Sequence, residues 1–176
     1  SKISFGKETN NSKEVKKGYI FFAIKGKKND GNKFVGQSFK KKASVAIVNK
    51  FNNKYNINRQ IKVKHTLNFL TETAKIFRKN INTNIIAITG SSGKTSLKEL
   101  LGNSLKKISK ASISPRSYNN KYGVPLSLFN INQNDNYGVL EVGMDKKGEI
   151  DYLSKIIQPD VSVITNISYA HAKNFE

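Results

Sequence analysis

The sequence predicts an α/β protein in two units: a small amino-terminal α/β unit, then a parallel-sheet unit of the phosphate-loop type. Three observations carry this. Apolar runs of strand length alternate with stretches of helical periodicity through the 176 residues. The run Ile85-Ile86-Ala87-Ile88 breaks into Thr89-Gly90-Ser91-Ser92-Gly93-Lys94-Thr95 and then into an amphipathic stretch. The polar segment Lys79-Asn80-Ile81-Asn82-Thr83-Asn84 reads as a linker, which sets the expected units at residues 1–82 and 83–176.

In the first unit, Tyr19 to Ile24 reads as a buried strand ended by Gly26, and Phe34 to Lys42 as a helix with Phe34, Val35 and Phe39 on one face. Ser44 to Val48 is the next strand. Phe51 to Arg59 is Asn-rich and polar, hence a loop, and Ile61-Lys62-Val63 a short strand. Thr66 to Lys79 follows as a helix with Leu67, Leu70, Ala74 and Phe77 inward.

In the second unit the strand ending at Thr89 leads through the loop to a helix from Thr95 to about Lys107, with Leu97, Leu100, Leu101 and Leu105 as its apolar positions. Ala111 to Ser114 is a strand, Pro115 to Lys121 a loop, and Val124 to Phe129 an apolar segment. Tyr137 to Leu140 leads to Glu141, Gly148 to Ile157 forms a helix, and Val161 to Thr165 is a strand that empties into Asn166 to His171. In an open parallel sheet, ligands bind beyond the carboxyl ends of the strands. That rule gathers the phosphate loop, Glu141 and His171 at one edge.

The loop is built to hold phosphate. Glycines let the backbone turn its N–H groups inward, and the next helix offers the positive end of its dipole. Lys94 supplies a point charge and the Thr95 hydroxyl a ligand for Mg²⁺, with Gly90, Ser91, Ser92, Gly93 and Ser96 completing the cradle. The general pattern asks for glycine where Ile88 stands. The competing reading is an ordinary strand–turn–helix corner with an exposed lysine.

A net charge of +19 raises nucleic acid as a partner, and Lys40-Lys41-Lys42 with Lys25, Lys27 and Lys28 could form a patch. The lysines nevertheless recur evenly from Lys2 to Lys173, so a nucleic-acid role is not favoured. Such a surface also suits an anionic nucleotide-linked substrate. No apolar run approaches the ~18 residues of a membrane helix, and Ser1 to Phe5 carry no signal-peptide core. The absence of cysteine fits a reducing compartment, so the expectation is a cytoplasmic protein with no membrane insertion, taken as a monomer.

Four blocks occur in order: the phosphate loop; Tyr118-Asn119-Asn120-Lys121-Tyr122-Gly123-Val124-Pro125; Glu141-Val142-Gly143-Met144 with Gly148-Glu149-Ile150; and Pro159-Asp160-Val161 through Asn166 to Ala170-His171. Together they resemble the Mur ligase family. Val15 to Gly26, followed by Asp30-Gly31 and Phe34, is similar to that family's uridine-nucleotide-binding domain. The Asn-Asn and Gly-Glu-Ile blocks most resemble the branch that adds D-alanyl-D-alanine to UDP-N-acetylmuramoyl-tripeptide in peptidoglycan synthesis.

The resemblance implies a uridine-nucleotide-binding domain over 1–82 and an incomplete ATPase domain over 83–176. It implies ATP and Mg²⁺ as cofactors, and a reaction in which the tripeptide carboxylate attacks the γ-phosphate and the amine of D-alanyl-D-alanine then displaces phosphate. Lys94, Asn119, Asn120 and His171 would be catalytic; Thr95, Glu141 and His171 would hold metal. Asn11-Ser12-Lys13 would touch the uridine side, standing where the family has Asp-Ser-Arg; Ser117 stands where it commonly has a further asparagine. Read without the motifs, His171 and Glu141 could be plain structural or solvated groups, Asn119 and Asn120 could shape a turn, Glu149 could favour its helix dipole, and His65 has no role. The family's carbamylated lysine and carboxyl-terminal domain have no counterpart here, so an amino-terminal fragment inactive by itself is expected. The other readings are a ligase adding the third amino acid and a basic phosphate-loop protein acting on nucleic acid.

Overall fold

Strands whose apolar runs are nearly unbroken must be covered on both faces, which in α/β proteins means parallel sheets. The computed structural model, which describes residues 3–5, 15–26, 29–116 and 118–168, contains two of them. By its contacts the chain divides into Ser1–Glu72 and Thr73–Glu176.

The first unit holds strands β1 (Ile3–Phe5), β2 (Ile20–Phe22), β3 (Val45–Val48) and β4 (Gln60–Lys62), parallel and in that spatial order. Helix α1 (Val35–Lys40) follows a 3-10 turn that Asp30 caps by accepting from the Asn32 N–H. Phe21, Ala23, Val35, Ala46 and Val48 form the core, with Phe34 and Phe39 packed against it as expected. The polar stretch before β4 is fastened by the buried Gln60 side chain, which donates to Asn52 O and accepts from the Asn52 N–H. β1, three residues long, carried no strand signal in the sequence.

Helix α2 (Thr66–Lys79) contains the division between the units. Thr66 Oγ1 donates to Ala23 O in the first unit, whereas Ala74 and Phe77 belong to the core of the second. The segment 79–84 therefore differs from its expected linker role: Ile81 is buried in that second core, and Thr83 Oγ1 donates to Asp135 O.

The second unit runs β5 (Asn84–Thr89), α3 (Lys94–Ile108), β6 (Ala111–Ile113), α4 (Gly123–Phe129), β7 (Tyr137–Glu141), α5 (Glu149–Ile157) and β8 (Val161–Ile164). Its parallel sheet has the order β6-β7-β5-β8. The chain leaves β5 for the outer strand β6, returns to β7 beside β5, then crosses to β8 on the other flank. The carboxyl end of β5 is thus the switch point at which such folds bind ligands. The apolar segment 124–129 proves to be helical, and α4 is buried from Gly123 to Leu128. On α3 the inward face is rotated from expectation: Leu100 is 68% exposed, while Lys98 is fully buried. No helix among the described residues is long and apolar enough to cross a membrane.

Candidate functional site

β5 is the central element of the site because Ile85 to Ile88 are all buried, fixing where its carboxyl end lies. The chain then turns on two glycines in the left-handed region, Gly90 at φ 131° and Gly93 at φ 76°. Gly90 is required twice over, since a Cβ there would lie 2.2 Å from Thr165 Oγ1. Gly93 caps α3 with no side-chain hydrogen bond, leaving the first N–H groups of the helix for a ligand. Lys94, the first residue of α3, folds over the loop and donates from Nζ to Gly90 O at 2.6 Å.

At the next strand end, β7 delivers Glu141, whose carboxylate is almost entirely buried. One oxygen accepts from Thr95 Oγ1 at 2.7 Å and the other from Asn119 Nδ2 at 2.7 Å. Asn119 is pressed onto the end of β7: its carbonyl accepts from the Gly143 N–H at 2.6 Å, and a Cβ on Gly143 would lie 2.9 Å from that oxygen. A hydroxyl, a carboxylate and an amide are therefore linked in a row beside the phosphate loop.

The sequence did not single out Lys98, which completes this row. Its ammonium group, fully buried, donates to Ser114 O at 3.0 Å and lies 3.2 Å from Glu99 and 3.9 Å from Glu141 Oε2. Two buried opposite charges compensate one another where either alone would be costly. The available signal was spacing: Lys98 is one turn beyond Lys94 on the face that carries Gly102.

The other expected residues divide. Asn120 Oδ1 accepts from the Tyr122 and Gly123 N–H groups, which starts α4. Ser91 and Ser92 bond to the segment after β8 through Asn166, Thr165 and Ser168, residues the sequence reading did not single out as site residues. Ser96 lies exposed in the first turn of α3. Glu149 Oε2 accepts from the Asp145 N–H, at the start of α5. His171 and Asn11-Ser12-Lys13 lie outside the described residues, as does Ser117.

The donor set admits a hard cation on one condition. Among the described residues no group of three or more His, Cys, Asp or Glu could hold a metal ion. Mg²⁺, however, is commonly held by one carboxylate together with substrate phosphates and water. Glu141 and the Thr95 hydroxyl are the oxygen donors that fit such an ion once a polyphosphate lies on the loop.

Residues 88–176 match the family described as the Mur ligase middle domain. The chain is 34% identical over 174 residues to a UDP-N-acetylmuramoyl-tripeptide–D-alanyl-D-alanine ligase of Buchnera aphidicola, covering 99% of this chain and 38% of that protein. With the Bacillus subtilis protein of the same name it shares 34% identity, over 93% of this chain and 36% of that one. Among solved structures, MurF from Acinetobacter baumannii superposes with a TM-score of 0.81 at 37% identity, over 93% of this chain and 36% of its own. MurF from Thermotoga maritima in complex with ADP gives 0.77 at 35% identity, over 96% and 38%. The chain thus spans 36% to 38% of the length of these relatives.

Proposed function

The chain belongs to the Mur ligase family, and we propose that it carries the uridine-nucleotide domain and part of the ATPase domain of a ligase joining D-alanyl-D-alanine to UDP-N-acetylmuramoyl-tripeptide. The observation that carries this reading is the Thr95–Glu141–Asn119 row at the carboxyl ends of β5 and β7, beside a glycine-framed loop. The names of the relatives supply the substrate pair.

In this reading ATP lies along the loop, with its phosphates on the N–H groups at the start of α3. Lys94 swings from Gly90 O to the β/γ-phosphates, and Mg²⁺, when bound, offsets charge on the transferring phosphoryl group. Thr95 and Glu141 would hold that ion, and Asn119 keeps the carboxylate aimed. Asn120 supports the site by setting the start of α4. His171 would serve a second metal ion, and Asn11, Ser12 and Lys13 the uridine end, within a binding region taken as 1–82. The tripeptide carboxylate attacks the γ-phosphorus and expels ADP, giving an acyl phosphate, and the dipeptide amine, losing a proton, then expels phosphate from it. The enzyme would work in the cytoplasm as a monomer.

The test is amine selection by the full-length protein carrying this chain. With ATP, Mg²⁺ and UDP-N-acetylmuramoyl-tripeptide, phosphate release should require D-alanyl-D-alanine and yield the pentapeptide. Turnover that instead needs a UDP-dipeptide and a single amino acid would assign the third-residue branch.

A further inference from the structure

The segment after β8 is fastened to the front of the phosphate loop. The Thr165 N–H donates to Thr89 O at 2.9 Å and the Ser91 N–H to Asn166 O at 3.0 Å, carrying the β5–β8 ladder past both strand ends. The Asn166 side chain then grips Ser92 twice: Oδ1 accepts from the Ser92 N–H at 2.9 Å and Nδ2 donates to Ser92 Oγ at 2.8 Å. Thr165 Oγ1 donates to Ser92 O at 2.6 Å, and the Ser168 N–H to Ser91 Oγ at 2.9 Å. The N–H groups of Ser91 and Ser92, which a glycine-framed loop could turn toward phosphate, are both taken by Asn166.

Resting on the nucleotide reading above, we infer that Asn166 is a positioning residue. It fixes the 91–92 arch so that phosphate is read by Lys94 and by the N–H groups from Gly93 to Ser96. Two features select a standing brace over a plug that nucleotide displaces. The Asn166 carbonyl contact is a rung of the sheet and opens only if β8 peels from β5. The loop is also shaped to this neighbour, because a Cβ on Gly90 would sit 2.2 Å from Thr165 Oγ1 and 2.9 Å from Asn166 O. A planar amide suits the grip on Ser92, since it presents an acceptor and a donor side by side.

Asn166 is exposed, so its substitution leaves the core intact. In Asn166→Ala of the full chain, hydrogen exchange of the 90–93 amides should accelerate, and affinity for ADP should fall about tenfold, at an unchanged denaturation midpoint. Unchanged exchange overturns the brace, and so does unchanged or tighter ADP binding, the latter being the mark of a plug. Loss of affinity in step with the midpoint would reduce Asn166 to a stabilising contact and overturn it as well. If the unsubstituted chain binds no ADP with or without Mg²⁺, the nucleotide reading fails, while the exchange measurement still decides the brace.

Discussion

Single charges at this site act through fixed geometry. Lys94 is the side-chain cation within the proposed cradle, and its present partners are the loop carbonyls of Gly90 and Ser91, which it can leave without disturbing the core. Lys94→Ala should therefore lower affinity for ADP by about 100-fold, the scale of two strong charge-assisted hydrogen bonds, with little change in thermal stability. Titration calorimetry beside a melting curve checks both halves of that statement. In the first unit, Asp30 offers a pH readout. Burial raises its pKa, but the Asn32 side chain and N–H and the charges of Lys25 and Lys33 outweigh burial, so the carboxyl sits below the ordinary value of 3.8. A carboxylate with a depressed folded value stabilises the fold above its unfolded pKa and loses that contribution as pH falls through the folded one. Between about pH 5 and 3 the unsubstituted chain should thus lose more stability than Asp30→Asn, measured by denaturant unfolding at each pH.

At the scale of elements, glycines decide how closely the site's parts approach. A Cβ on Gly123 would lie 2.6 Å from the Tyr118 carbonyl carbon and Cα, and backbone cannot yield as a side-chain tip can. Gly123→Ala should drive the start of α4 away from the 118–120 loop, costing about 1–3 kcal/mol of stability and drawing Asn119 off Glu141. Unfolding curves measure the first effect, and the Asn119 side-chain amide resonance reports the second. The strands and helices that position these parts were largely legible, because β5 and α2 have long runs of one period and the phosphate loop has its own signature. Three features were not. Lys98 reads as a solvated lysine between Leu97 and Leu101, and its buried position depends on Gly102 letting α3 lie against Ile113. Asn166 meets Ser92 only because β8 pairs with β5, a long-range choice that local pattern does not encode. The segment 124–129 is apolar but for Ser127, so periodicity could not separate a buried helix from a strand.

For the molecule as a whole, the question is where one folding unit stops and the next begins. Polar composition at 79–84 pointed to a boundary at 82/83, whereas contacts place the division within α2. The physical reason is that the second half of α2 is a wall of the second core. Ala74 is fully buried there, Phe77 packs against Phe129 at 5.3 Å between ring centroids, and Ile81 fills the same cluster. Arg78 adds a polar clasp, donating to Ile157 O at 2.7 Å, Gln158 O at 2.9 Å and Asp160 Oδ2 at 2.8 Å. Asp160 Oδ2 in turn accepts from the Ile85 N–H, so the clasp reaches the strand that carries the phosphate loop. A fragment starting at residue 73 keeps all of this; one starting at residue 83 loses the apolar wall and leaves the carboxyl end of α5 and the Asp160 carboxylate without Arg78. The longer fragment should be the more stable by roughly 2–4 kcal/mol, the scale of removing a half-buried aromatic with the buried Ala74 and Ile81 beside it. Denaturant unfolding of the two fragments decides the matter: equal stability would restore the boundary at 82/83 and leave α2 an element of the first unit alone.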